Sequence, residues 1–150
     1  MSGIILEINL ASELGQITTA QEKANALPGL GLLGDRKCKS KIIIDSVYKR
    51  QITFVEIEQI RRFNEFYGVE MKPSETRRNV VTEGINLNEL VGHEFQVGDV
   101  RMRGTELCEP CKYLQDLTNL PVVEGYLNRG GLCAEILSQG YINVGDTIAS

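Results

Sequence analysis

Cys108 and Cys111, inside Gly104-Thr105-Glu106-Leu107-Cys108-Glu109-Pro110-Cys111-Lys112-Tyr113-Leu114, are the most chemically pointed residues of this chain. The thiolate is the form of cysteine that attacks or ligates, and neighbouring arginines favour it. A thioredoxin-like redox pair would want a βαβ setting and a helix N-terminus, whereas this neighbourhood reads as strands. A zinc site would need two further ligands. The candidates are Cys38, Cys133 and the sole histidine, His93, which form no second paired motif, so structural zinc is not expected. Two readings remain for the pair: a nucleophilic or metal-ligating thiolate at the mouth of a pocket, or small buried apolar residues, a common fate of cysteine. Cys133, in an apolar run, suits the second; Pro110 beside Cys111 favours a fixed, non-helical presentation.

Arg77-Arg78-Asn79 is the other candidate. Two guanidinium forks match phosphate or carboxylate oxygens, and the asparagine adds a donor; a solvated surface pair is the plainer reading. Arg101 and Arg103 are further cations that a local basic pocket could use. The run Pro28-Gly29-Leu30-Gly31-Leu32-Leu33-Gly34-Asp35-Arg36 demands sharp turns or close backbone approach, yet it matches neither the P-loop nor the dinucleotide fingerprint. With one histidine, no Ser-His-Asp set is credible.

These residues need a scaffold, and 150 residues suffice for a single domain spanning 1–150. Hydrophobic content of 42% and charged content of 24% are ordinary for a globular protein. A net charge of −4 argues against a nucleic-acid binder. The N-terminus lacks a basic region and cleavage site, and no apolar run reaches the roughly 18 residues of a membrane helix. Four cysteines in a core-forming chain suggest thiols in a reducing compartment, with the cytoplasm as default.

Strands are predicted over 3–10, 18–23, 41–48, 79–82, 95–97 and 100–107, the last alternating Val100 and Met102 with Arg101 and Arg103. One substantial helix is predicted from Thr53, where Thr53 and Glu56 have capping-box spacing, through Phe54, Ile57, Ile60, Phe63 and Tyr67 to a stop at Gly68. Short helical turns are expected at 86–91, 112–117 and 122–127. A hairpin is expected between 132–137 and 141–144, before a last strand at 147–148. The pattern is mainly β with a few helices, a barrel or sandwich.

Taken in order, Gly29 to Arg36, Arg50-Gln51-Ile52-Thr53, Arg77 to Gly84, Leu90-Val91-Gly92 through Gly98-Asp99, Cys108-Glu109-Pro110-Cys111-Lys112-x-Leu114, Gly130-Gly131 and Val144-Gly145-Asp146 resemble the MOSC domain, named for the C-terminal part of molybdenum cofactor sulfurases. The resemblance covers nearly the whole chain and implies a MOSC-type β-barrel that handles the molybdenum cofactor (molybdopterin) or activated sulfur. It implies that Cys111 ligates molybdenum or carries a persulfide, with Cys108 able to resolve it as a disulfide. It implies that Arg77 and Asn79 reach the pterin phosphate, Arg36 or Arg78 assisting, with Gly34, Asp35, Thr82 and Gly84 in the accompanying motifs. Implied partners are cofactor-handling enzymes, a cysteine desulfurase or an electron-transfer protein; nucleic acid and membrane are not expected. Two other roles stay open: a molybdenum-dependent reductase of N-hydroxylated substrates drawing electrons from a partner, and a non-catalytic interaction domain.

Overall fold

A computed structural model describes residues 2–11, 19–35, 38, 50–108, 115–116, 119–126 and 128–150. Its main sheet is built from β1 (Ser2–Leu10), β2 (Thr19–Gln21), β5 (Ile52–Glu56), β6 (Val80–Glu83), β7 (Glu94–Val97), β8 (Val100–Leu107), β9 (Leu132–Ile136) and β11 (Thr147–Ala149). In the order β11-β7-β8-β9-β5-β6-β1 the strands close on themselves, because β1 also pairs with β11 through Ser2↔Ala149, Gly3↔Ile148 and Ile4↔Thr147. The result is a seven-strand barrel, with β2 hanging from β1. Closure removes the open edges that would otherwise template aggregation. A small second sheet, β10-β3-β4, is made by β3 (Lys23–Leu27), β4 (Gly31–Leu32) and β10 (Gly140–Asn143).

Alternation decides what fills the barrel. In β8, Val100 and Met102 are fully buried while Arg101 and Arg103 are exposed, the period-2 signature of a sheet with one wet face. Ile5, Ile8, Phe54, Val80 and Leu132 join them in one apolar cluster, where Phe54 meets Phe95 edge-on at 5.7 Å.

β5 and β6 run parallel, so the chain must cross over between them. The crossover carries α1 (Ile57–Tyr67), which lays Ile57 and Ile60 on the outward residues Val55 and Val81. Gly68 ends it in the left-handed conformation (φ 65°), donating its N–H to the Asn64 carbonyl. Beyond it, Phe63 stacks on Tyr126 at 4.7 Å, with Met71 and Val122 alongside, Val122 opening the one-turn helix α2 (Val122–Gly125). Burial in this second cluster pushes the Tyr126 phenol well above its ordinary value, against the smaller lowering effects of Arg62 and Arg78.

The helix begins later than the sequence suggests. Thr53 lies inside β5, and Glu56 is the extended N-cap residue, with no side-chain cap bond. The capping-box spacing is real but is spent otherwise: Thr53 bonds Asn79, and the Glu56 carboxylate accepts the Leu87 N–H at 3.0 Å. The expected hairpin after Ile136 is also absent, since β10 pairs with β3 and β9 lies between β8 and β5. The predicted strand at 41–48 lies outside the described residues, as does most of the helical turn expected at 112–117. No described helix is long and apolar enough to cross a membrane.

Candidate functional site

Five polar or sulfur-bearing residues form a row across adjacent strands on the outer face of the barrel. Cys133 stands opposite Thr53 in the β9–β5 ladder, and Asn79 follows in line because Phe54 pairs with Val80 one step further on. Asn9 completes the register beyond Ile8↔Val80, donating its backbone N–H to the Asn79 carbonyl at 2.6 Å. Cys108, at the end of β8, is joined to Cys133 by a disulfide with a Cα–Cα distance of 5.6 Å, inside the normal range for such bonds. The residues next in each strand, Leu132, Phe54, Val80 and Ile8, face the barrel core, so alternation puts the row outward.

Asn79 fastens the centre of this row. Its side-chain oxygen accepts the Thr53 N–H at 3.0 Å and the Thr53 hydroxyl at 3.1 Å, while its amide donates to the Asn9 carbonyl at 3.2 Å. Its own N–H goes to the Thr53 hydroxyl oxygen at 2.9 Å. One amide thereby ties three strands. Asn9 is different. Its side chain has no solvent exposure, and neither its oxygen nor its nitrogen has a hydrogen-bond partner among the described residues.

Arg77 lies two residues before Asn79, just ahead of β6. It is 7% exposed and holds φ at 63°, a left-handed conformation rare for a bulky residue and concentrated at functional sites. A short 3-10 turn, Pro73–Thr76, imposes it, with the Arg77 N–H closing onto the Ser74 carbonyl. Asp35 approaches the same end of the sheet: its carboxylate accepts the Ala11 N–H at 3.1 Å, two residues past Asn9.

The Gly130-Gly131 turn joins the arginine and cysteine segments. Arg78 donates through Nε to the Gly130 carbonyl at 2.8 Å, and the Cys108 N–H donates to the Gly131 carbonyl at 2.8 Å. Gly131 holds φ at 115°, and a Cβ there would overlap the Phe54 carbonyl oxygen; only glycine lets this turn press against β5. Gln51 performs a parallel task beneath the glycine run, its buried oxygen accepting from the Gly29 and Ile136 N–H groups at 3.1 and 2.8 Å.

The structure therefore brings Cys108, Arg77, Asn79 and Asp35 to one end of the outer face, and turns Arg78 onto the glycine turn. Thr82 and Gly84 sit further along β6: the Thr82 hydroxyl donates to the Val55 carbonyl, and the Gly84 N–H donates to Glu58 at 2.8 Å. Gly34 is a left-handed turn residue (φ 91°) before Asp35. Arg36 and Cys111 lie outside the described residues. Arg101 and Arg103, candidates for a basic pocket, instead flank Glu94 at 4.0 and 3.8 Å on the exposed face of the sheet. The expectation of thiols throughout is corrected at Cys108 and Cys133, whose side chains meet across β8 and β9. Cys38 keeps its thiol, and burial, followed by the charge of Asp35, raises its pKa. Sequence reasoning missed Asn9: with Glu7 it interrupts an apolar strand and so reads as the wet face, and no motif marks it.

The barrel has relatives among solved structures. The YuaD protein of Bacillus subtilis superposes with a TM-score of 0.82 at 20% identity, covering 99% of this chain and 94% of that one. YiiM from Geobacillus stearothermophilus gives 0.75 at 15% identity over 99% and 74% of the two chains, and YiiM from Escherichia coli gives 0.66 at 17% over 99% and 69%. No curated protein matches the sequence. At these identities the likeness speaks for the fold. The family model of the MOSC domain matches residues 40–149. The ordered motifs, the closed barrel and that match agree: this chain belongs to the MOSC domain family.

Proposed function

We propose that this protein binds the molybdenum cofactor, or carries sulfur for it, at the end of the outer face where Arg77, Asn79 and Asn9 converge. The observation that carries the reading is Arg77: a guanidinium only 7% exposed, held in a left-handed backbone conformation beside a row of buried polar side chains. The arginine fork matches the oxygens of a phosphate, and a site shielded from water strengthens that pairing. The residues suit the cofactor on this count: Arg77 takes the phosphate, with the Asn79 amide two residues further along the chain.

Cys111, three residues beyond the anchored Cys108, supplies the soft thiolate that suits molybdenum or holds a persulfide. The bound cofactor would contribute oxygen-atom or sulfur chemistry. The chain's own work is to fix Arg77 through the 3-10 turn, to set the height of Asn79 through Thr53, and to hold the start of the cysteine segment through Gly131. A cysteine desulfurase or an electron-donor protein is the partner class this chemistry calls for. The sulfur-carrier reading is the second choice: with the Cys108–Cys133 bond opened by two equivalents of a small-molecule thiol, the Cys108 thiolate, three residues from Cys111 in sequence, would attack the inner sulfur of a Cys111 persulfide, forming a Cys108–Cys111 disulfide and releasing hydrosulfide.

The test is pterin retention. Protein made in molybdate-replete cells is oxidised, and the released pterin is measured by fluorescence for the wild type and a folded Arg77→Gln variant. Pterin in the wild type and its loss in the variant is the expected result. A wild type without pterin, under conditions that load a known cofactor protein, overturns the cofactor reading.

A further inference from the structure

Cys108 and Cys133 are joined in a barrel that does not need the join. A chain of 150 residues buries enough surface to fold without covalent staples. β9 is held independently of the bond, since Leu132, Ala134 and Ile136 fix it in the apolar cluster on the core side. Opened, the bond leaves two buried thiols, a setting in which free cysteine is common. Both redox states therefore suit the fold.

The two sulfurs are held differently. Cys133 sits inside β9, paired with Thr53 on one side and Glu106 on the other, and is 2% exposed. The Thr105 hydroxyl also donates to its carbonyl at 3.0 Å. Cys108 follows Leu107, the last residue of β8, and so lies beyond the ladder; it is 6% exposed, with its N–H on the Gly131 carbonyl. A β-bulge between Gly104 and Glu106 breaks the register just before it. A strand end beside a bulge opens more readily than a strand paired on both sides. We infer that Cys108 and Cys133 form a redox-active dithiol–disulfide pair, in which Cys108 exchanges with small-molecule thiols and Cys133 closes the bond again.

In the exchange a thiolate attacks the Cys108 sulfur, forms a mixed disulfide there and breaks the Cys108–Cys133 bond. The electron pair leaves on Cys133, which takes up the proton the incoming thiol gave up. A second thiol attacks the outer sulfur of the adduct, releasing Cys108 as a thiol and the small molecule as its disulfide. Two small thiols are oxidised and one protein disulfide is reduced. The redox state then sets how firmly the end of β8 is fastened to β9, and whether the Cys108 thiol of the sulfur-carrier reading exists. The inference goes beyond that reading and does not depend on it, because neither cofactor nor persulfide enters the exchange.

The test equilibrates the purified full chain in glutathione buffers of graded composition, with free and bonded cysteines mapped by differential alkylation and peptide mass. We expect the pair to pass from about nine-tenths oxidised to nine-tenths reduced over a roughly 100-fold change in [GSH]²/[GSSG], reversibly, with a cooperative thermal transition at both ends. Amide exchange at 105–108 should rise by about 10-fold or more on reduction, while β5 and β6 stay unchanged. With oxidised glutathione, Cys133→Ala should carry the adduct on Cys108, and Cys108→Ala should leave Cys133 unmodified. A pair that stays oxidised or stays reduced across the whole range overturns the inference, and so does a wild type that unfolds on reduction, which would make the bond a staple. Adducts formed equally on Cys133 overturn the division of roles.

Discussion

At the scale of single residues, the site is organised by amides more than by charges. Asn79 satisfies two groups of Thr53 and one carbonyl of Asn9 in a place water does not reach. Truncating it orphans the Thr53 N–H, so Asn79→Ala should cost about 2–4 kcal/mol in urea unfolding; a loss within error of zero would show those bonds to be dispensable. Titration adds a second expectation. The Tyr126 phenol is raised by burial in the folded chain. Above about pH 10 the unfolded chain releases this proton and the folded chain keeps it. Stability contributed by Tyr126 is thus complete below that pH and declines as pH rises beyond it. Tyr126→Phe should flatten this alkaline loss in thermal scans from pH 9 to 11, and an unchanged slope would refute the assignment. Residue types announced part of this: the cysteine pair and Arg77-Arg78-Asn79 stand out in sequence because their chemistry is unusual. Asn9 and the Cys108–Cys133 pairing do not, because an amide's unmet bonds and a partner 25 residues away exist only in three dimensions.

Elements position these residues by register. The alternation in β8 and the helical spacing of Ile57, Ile60 and Phe63 were readable because one face of each is dry. Thr53 misled because its spacing to Glu56 satisfies a helix-start pattern, whereas pairing with β6 and β9 holds it in a strand. Tertiary hydrogen bonding outweighed a local signal worth about 1 kcal/mol. The β10 strand was recognisable as a strand but not in its partner, since adjacency in sequence suggests a hairpin and the ladder to β3 is long-range. The turn at Gly130-Gly131 is the element on which both halves of the site depend. Gly131→Ala meets the Phe54 carbonyl and a φ of 115° together. It should cost about 3 kcal/mol or more and disturb Cys108 and Arg78 at once. A midpoint unchanged from wild type would contradict this close packing.

Across the whole molecule, the barrel closes through β1 and β11. The strand order could not be deduced from the sequence, because β11 is only three residues long and pairs with both ends of the circuit. Ile148, fully buried at that seam, is its apolar peg. Ile148→Ala should destabilise by about 2–5 kcal/mol and raise amide exchange in β1 and β7, the two strands β11 joins; exchange confined to β11 would mean that closure is local. Asn9, near the N-terminus, comes into line with Cys133, near the C-terminus, through the β1–β6, β6–β5 and β5–β9 ladders, so the row is a property of the sheet and not of any segment. The central claim of the proposed function is that Cys111 supplies the thiolate that ligates molybdenum or carries sulfur. The direct measurement is molybdenum by elemental analysis, together with cyanolysable sulfur, on protein from molybdate-replete cells, for wild type and Cys111→Ser. Stoichiometric molybdenum or sulfane sulfur on the wild type, lost in the variant, is the result the account predicts. Neither species on the wild type, or either one undiminished by the substitution, would contradict it.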